Sequence, residues 1–358
     1  MKLGNRIRLW TVTLAVTLSA SAGAILTQKA QAEEYPETKL QVVGTWSHLS
    51  QFKNFEQPFW AEEIPAQSGG AITANVKGFN DMGLKGAEVV RLINSGALHF
   101  GSTVLGYLAA DDPINEAIDL AGLSPTIETA RSVTDAFRPV LAKRYEERYG
   151  IKLLGIWPYS AQVLFCNSPV NSLADLKGKK VRTANRTLAE FVEALGGTGV
   201  TMAFSEVVIG LQNNLLDCAI TGTLSGYSAK WHEVSTHLYE LPVGWSQVIH
   251  AVNIDVWNSL DAKVQSFLQT RIEDLENRIW TSAAEETIQG INCNTGAGEC
   301  QYGDAAGMTF VPISDADRKL LSTILKETVL PVWAERCGAD CTGQWNNTVG
   351  KVLDINAG

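Results

Sequence analysis

The stretch KKVRTANRTLAEFVEALGG, residues 179–197, places Arg182 inside a strand-like KKVRT, and the helix that follows offers it no nearby acidic partner. A guanidinium buried without a counter-charge is costly, and its planar fork matches the two oxygens of a carboxylate. Arg182 also stands near the carboxyl end of its strand, just ahead of a helix whose first amides favour an anion. Residue type and setting therefore point to capture of an incoming carboxylate. The competing reading is an internal ion pair. Other arrangements carry less chemistry. HEVSTH (232–237) has one residue too many for the metalloprotease motif, so His232 and His237 leave one helical face. GTLSG (222–226) displaces Ser225 by one place from a nucleophile elbow. No G-x-G-x-x-G or P-loop follows any strand, which leaves nucleotide binding unsupported. Glu62-Glu63 and Asp111-Asp112 read as solvated surface. With no nucleophile, base, metal set or cofactor motif in view, binding is a better reading than catalysis.

Six cysteines add a different chemistry. Cys293 and Cys300 close the Gly-rich CNTGAGEC, and Cys337 and Cys341 close CGADC after a helix. Local disulfides fit both spacings, because an even cysteine count in an exported chain favours bridges. Zinc spacing is absent, so no metal site is expected. Export is read from the N-terminus: Lys2, Arg6 and Arg8, an apolar run Leu9–Leu26, then Ala30-Gln31-Ala32. These are the three parts of a secretory signal peptide, with cleavage expected after Ala32 and a periplasmic destination. Removing it also removes Lys2, Arg6, Arg8 and Lys29, so the net charge moves from −9 to −13, with 25 basic against 38 acidic side chains left. A surface that acidic disfavours nucleic acid and anionic lipid as partners. No second apolar run approaches the roughly 20 residues of a membrane span.

The elements that must hold Arg182 follow a repeated grammar. LQVVGTW, AITANVKGF and ALHFGST read as strands. Between them lie a helix with Phe55, Phe59, Trp60 and Ile64 on its apolar stripe and a second helix, GAEVVRLINSG. KKVRT, GVTMAF and CAITG repeat the pattern. Their first helix carries Leu188, Phe191, Val192 and Leu195 on one face and stops at Gly196-Gly197, and Ser205 is placed to cap the second. Two βαβαβ units joined by AQVLFCNSP predict an α/β protein of two similar lobes with a cleft between them. Asn258 to about Gly290 reads as one long helix able to touch both lobes.

The block NSLADLKGKKVRTANRTLAEFVEALGGTGVTMAFSEVVIGLQNNLLDCAITG resembles the core of the tripartite ATP-independent periplasmic (TRAP) transporter solute-binding proteins, the DctP-like family. DLKGKKVR and MAFSEVVIGLQNNLLD carry the resemblance, which runs from about Leu40 to about Ile324. It implies a two-lobed periplasmic binding protein fold, each lobe a mixed, mostly parallel sheet flanked by helices, with the long helix contacting both. By the resemblance, Arg182 is the arginine that pairs with the ligand carboxylate, and Phe204 the aromatic that packs on the ligand. Gln162 stands where several members carry a second arginine, and Thr221 where those members carry asparagine. One arginine implies a monocarboxylate. The resemblance also makes the strands of Cys166 and Cys218 neighbours, as either a cross-strand disulfide or two buried thiols.

Trp46, ending the first strand, and Trp245, in PVGWSQ, complete the candidate pocket, and aromatics there imply a ligand with an apolar or aromatic body. The expected organisation is a leader at 1–32, lobe I at 33–158 plus about 247–288, and lobe II at 159–246 plus about 289–358. The function implied is capture of a small organic acid and its delivery to the large and small TRAP membrane subunits. The rivals are a binding protein of an ATP-driven importer and a secreted enzyme acting on a carboxylate.

Overall fold

The computed structural model describes residues 35–358 together with Met1, so the expected leader and its cleavage point lie outside the described residues. In chain order the strands are β1 (Thr38–Gly44), β2 (Ile72–Gly78), β3 (Phe100–Val104), β4 (Ile151–Trp157), β5 (Gln162–Cys166), β6 (Lys180–Thr183), β7 (Thr198–Thr201), β8 (Cys218–Gly222), β9 (His237–Tyr239), β10 (Val248–Asn253) and β11 (Thr309–Val311). They form two sheets, β2-β1-β3-β10-β4 in lobe I and β11-β9-β5-β8-β6-β7 in lobe II. Within each, the βαβαβ strands run parallel, as the alternation of strand and helix dictates. One strand per sheet is antiparallel to its neighbours: β10 between β3 and β4, and β5 between β8 and β9. β3, β5, β8 and β10 are buried along their whole length, including their polar residues Ser102, Thr103, Gln162, Thr221, His250 and Asn253.

The chain therefore crosses between lobes at 158–161, at 240–247 and along the long helix Ala262–Thr295. The first two crossings are tied together: the Tyr159 amide donates to the Trp245 carbonyl (2.8 Å), the Gln162 amide to Gly244 (2.9 Å) and the Val243 amide to Gln162 (3.1 Å). The long helix touches both lobes. Trp280 Nε1 donates to the Ile156 carbonyl of β4 (2.8 Å). At the other end, a β-carbon on Gly290 would lie 2.3 Å from the Leu224 amide nitrogen, so only glycine permits this approach to lobe II. The C-terminal stretch is shared as well. β11 joins the lobe II sheet, while Trp333 and Trp345 donate through Nε1 to the Pro113 and Ala117 carbonyls of lobe I (2.8 Å each).

Several local expectations change. The long helix starts at Ala262, where Asp261 accepts from the Lys263 amide (2.8 Å), and Ile254–Ser259 is a separate short helix capped by Asn253. Ser205 caps nothing: it lies inside a 3₁₀ turn, Phe204–Glu206, that leads into the helix Val207–Gln212. The helix after β1 contains two π turns, Phe52–Glu56 and Phe59–Glu63, which widen the repeat enough to bury adjacent Phe59 and Trp60 together. Asp112 is not surface. It is buried 2.7 Å from Arg144 Nε and 3.3 Å from Arg148 Nη1. Glu63 is likewise half-buried against Arg278 (2.7 Å).

All three cysteine pairs are bonded: Cys293–Cys300, Cys337–Cys341 and Cys166–Cys218. The last joins residues directly opposite each other on antiparallel β5 and β8. Among the described residues, no helix is long and apolar enough to cross a membrane.

Candidate ligand-binding cleft

Arg182 lies on β6 between β7 and β8, with Val200 and Ala219 opposite it, and is 1% exposed. Its Nε donates to the Met202 carbonyl, just past β7, and its Nη1 to the Ile220 carbonyl on β8, each at 2.9 Å. Both neighbouring strands thus hold the guanidinium in one orientation. Phe204 and Trp231 lie under it, with ring centroids 6.0 and 5.9 Å from Cζ. Tyr107, from the turn after β3, reaches it from the opposite lobe through its hydroxyl. Burial pushes the arginine's pKa down and Tyr107 acts against that shift. No carboxylate of the described residues stands within salt-bridge distance of it. A guanidinium carries five N–H donors. Two serve carbonyls and one faces Tyr107, so two donors are left for a ligand.

Around this charge the cleft has two compartments. The inner is a cavity of about 20 Å³ bounded by Trp46, Leu49, Val104, Tyr107, Tyr159, Phe204, Thr221, Gly222, Ser225 and Ser246. Trp46 packs on Phe79 (4.5 Å between centroids) and, across the cleft, on Phe204 (5.4 Å). The outer is a groove of about 520 Å³ at the carboxyl ends of β3, β6 and β7, lined by small residues (Ala87, Ala109, Ala110, Ala184, Ala203) and by Lys85, Asn185, Met202 and Arg336. Tyr107 and Phe204 line both.

Arg182, Phe204, Thr221 and Trp46 are thus brought to one place. Arg182 lines neither compartment itself and reaches them through Phe204 and Tyr107, which line both; Gln162 and Trp245 line neither. A β-carbon on Gly244 would sit 2.9 Å from Gln162 Oε1, which places that amide under the second crossing. Trp245 turns its indole to the Ser124 carbonyl, with Nε1 donating at 2.9 Å. Four polar residues lining the inner cavity were not among the sequence candidates: Tyr107, Tyr159, Ser225 and Ser246. Tyr107 follows the carboxyl end of β3, a position that marks ligand sites in α/β sheets, so its signal was present. Ser225 was weighed only as a nucleophile. Tyr159 and Ser246 sit on the crossings, whose proximity is a tertiary fact. His232 and His237 lie apart, one stacked on Tyr227 (5.0 Å), the other in β9 beside Thr236.

Polar contacts also bridge the lobes at the rim. Lys85 pairs with Glu206 (2.8 Å). Glu116 Oε1 accepts from the Thr187 amide (3.2 Å), while Arg336 binds both Glu116 (3.1 Å) and Glu190 (3.2 Å). Burial pushes Glu116 up to about 7, with Arg336 pulling against it. Burial does the same to Asp119, also to about 7, although the amides of Trp245, Ser246 and Gln247 oppose it. Both carboxyls bind a proton more tightly folded than unfolded. Their contribution is therefore present below the unfolded carboxyl range and lost as pH rises through about 7. The melting temperature should fall between about pH 5 and about pH 8, and Glu116→Gln with Asp119→Asn should flatten that slope. Calorimetric melts across this range check it, and a rising or unchanged slope in the double variant contradicts it.

This fold and cleft, two α/β lobes joined by crossing strands and a long helix, define a two-lobed solute-binding architecture. Residues 45–335 match the bacterial extracellular solute-binding protein family 7 (DctP), and the chain belongs to that family. It is 27% identical over 202 residues to the ectoine-binding periplasmic protein of Halomonas elongata, covering 55% of this chain and 59% of that one. With the 2,3-diketo-L-gulonate-binding periplasmic protein of Escherichia coli it shares 25% identity over 258 residues, or 71% and 75% of the two chains. The first curated relatives are matched over 56 to 62% of their own length. Among solved structures, a Bordetella pertussis extracytoplasmic solute receptor binding pyroglutamic acid superposes with a TM-score of 0.77 at 22% identity, covering 87% of this chain and 99% of that one. That likeness is one of fold.

Proposed function

We propose that this chain is the extracytoplasmic receptor of a TRAP transporter. It captures a small monocarboxylate with an aromatic or apolar body and delivers it, unaltered, to the two membrane subunits from the periplasm. The observation that carries this reading is Arg182: buried, held by two carbonyls, packed over the Phe204 ring that walls the inner cavity, and without a carboxylate partner among the described residues. A ligand carboxylate supplies the missing counter-charge, and Tyr107 brings lobe I to the same point. The inner cavity carries no lysine or arginine on its walls, and Arg336 and Lys85 of the outer groove are already paired with Glu116, Glu190 and Glu206, which favours one carboxylate over two. Its roughly 20 Å³ is room for about one water, so an acid enters only as the lobes part. The tied crossings at Tyr159–Trp245 and Gln162–Gly244 are where that hinge bends. Catalysis is the weaker reading because, among the described residues, the polar partners of the guanidinium are two backbone carbonyls and Tyr107, with no carboxylate or histidine to act as base.

The test is calorimetry on a panel of acids, followed by recovery of the ligand. Aromatic and branched 2-oxo or hydroxy acids should bind at least tenfold more tightly than succinate, about 1.4 kcal/mol. Ligand recovered after incubation should be chemically unchanged. Tighter succinate binding would overturn the monocarboxylate reading, and a recovered product would overturn the receptor reading.

A further inference from the structure

Tyr159 stands on the first crossing and, with Ser246 of the second, forms the hinge side of the inner cavity. It is 5% exposed, and its amide is fixed to the Trp245 carbonyl (2.8 Å). Its hydroxyl has no hydrogen-bond partner among the described residues. The neighbouring hydroxyl of Thr45 acts on the phenol, but it gives its own proton to Glu56 Oε2 (2.7 Å) and makes no hydrogen bond of ordinary geometry with Tyr159. Buried phenol hydroxyls almost always find an acceptor, so an unpaired one on a cavity wall marks a place where a partner arrives. Burial, with the nearby Glu56 and Glu286 carboxyls, pushes the phenol's pKa well up, which keeps it a donor at any physiological pH.

We infer that Tyr159 donates a hydrogen bond to an oxygen on the body of the ligand, separate from the carboxylate at Arg182, so that the ligand is a hydroxy- or oxo-substituted carboxylic acid. This rests on the receptor reading above. Thr221 and Ser225 border the same cavity and can complete the shell around that oxygen. A site built to hydrogen-bond one substituent discriminates strongly against the analogue that lacks it. Tyr159 is then a specificity residue, and its backbone tie to Trp245 couples recognition of the substituent to the hinge.

The experiment titrates wild type, Tyr159→Phe and Arg182→Ala with two pairs of probes: mandelate against phenylacetate, and 4-hydroxybenzoate against benzoate. Wild type should prefer the oxygen-bearing member of at least one pair. Tyr159→Phe should weaken that member roughly threefold to tenfold and leave its partner within about twofold. Arg182→Ala should weaken both members alike. Wild type that discriminates in neither pair, or a Tyr159→Phe loss equal on both members, overturns the assignment. The carboxylate reading fails separately, when Arg182→Ala leaves affinity for the acids unchanged. Phenylalanine keeps the ring and its packing, and an unaltered melting temperature of the variant confirms that the loss is one of recognition.

Discussion

Arg182→Ala should weaken binding of the preferred acid by at least two orders of magnitude, and Arg182→Lys by about one. Two charge-assisted hydrogen bonds contribute roughly 1.5–3 kcal/mol each, and lysine keeps the charge while losing the paired geometry. The stability of the unliganded protein should change far less. Alanine removes an uncompensated buried cation, which is favourable, and strips donors from the Met202 and Ile220 carbonyls, which is not. These effects oppose each other, so the unliganded melting temperature should move by no more than a few degrees. Calorimetric affinities and melting curves on the same variants separate ligand binding from scaffold. Intact affinity with a collapsed melting temperature would make Arg182 a structural residue.

The second large effect is on stability. Cys166 and Cys218 are 52 residues apart, and their bond closes a loop containing β6, β7 and the helices that carry the Arg182 site. Loop-closure entropy for a loop of that size corresponds to about 4 kcal/mol, against about 2.5 kcal/mol for the seven-residue separation of Cys293 and Cys300. Cys166→Ala with Cys218→Ala should therefore lower the urea midpoint more than Cys293→Ala with Cys300→Ala. The reverse order would mean that the short bridge stabilises through local geometry. It would then matter by holding the end of the long helix at Thr295 rather than by constraining the unfolded chain.

The parts of the protein legible in the sequence are those set by local pattern. Alternating strand and helix signals give both βαβαβ units, whose strands β1 to β3 and β6 to β8 pair in parallel. The burial of Arg182 was legible because its strand reads as one between two others and the following helix offers it no acidic partner. What failed was decided by neighbours distant in sequence. Asp112 reads as a solvated acid until Arg144 and Arg148, more than 30 residues on, fold over it. Gln162 occupies a strand end that points at the cleft, yet the second crossing runs past it and takes its side chain. The π turns break the 3.6-residue repeat by which Phe55 was placed on the buried stripe, and it remains half-buried. Tyr107 and Tyr159 acquire meaning only when the two lobes meet. A cleft is formed by residues that share no local pattern, so half of its wall is invisible from either side alone.

The central claim is that the counter-charge of Arg182 arrives with the ligand. Its most direct test is a crystal structure with the tightest-binding acid of the panel. Both carboxylate oxygens should lie within about 3 Å of the Arg182 guanidinium nitrogens, with Tyr107 beside them and the acid's body between Trp46 and Phe204. An acid bound elsewhere, with Arg182 still serving only Met202, Ile220 and Tyr107, would contradict the account.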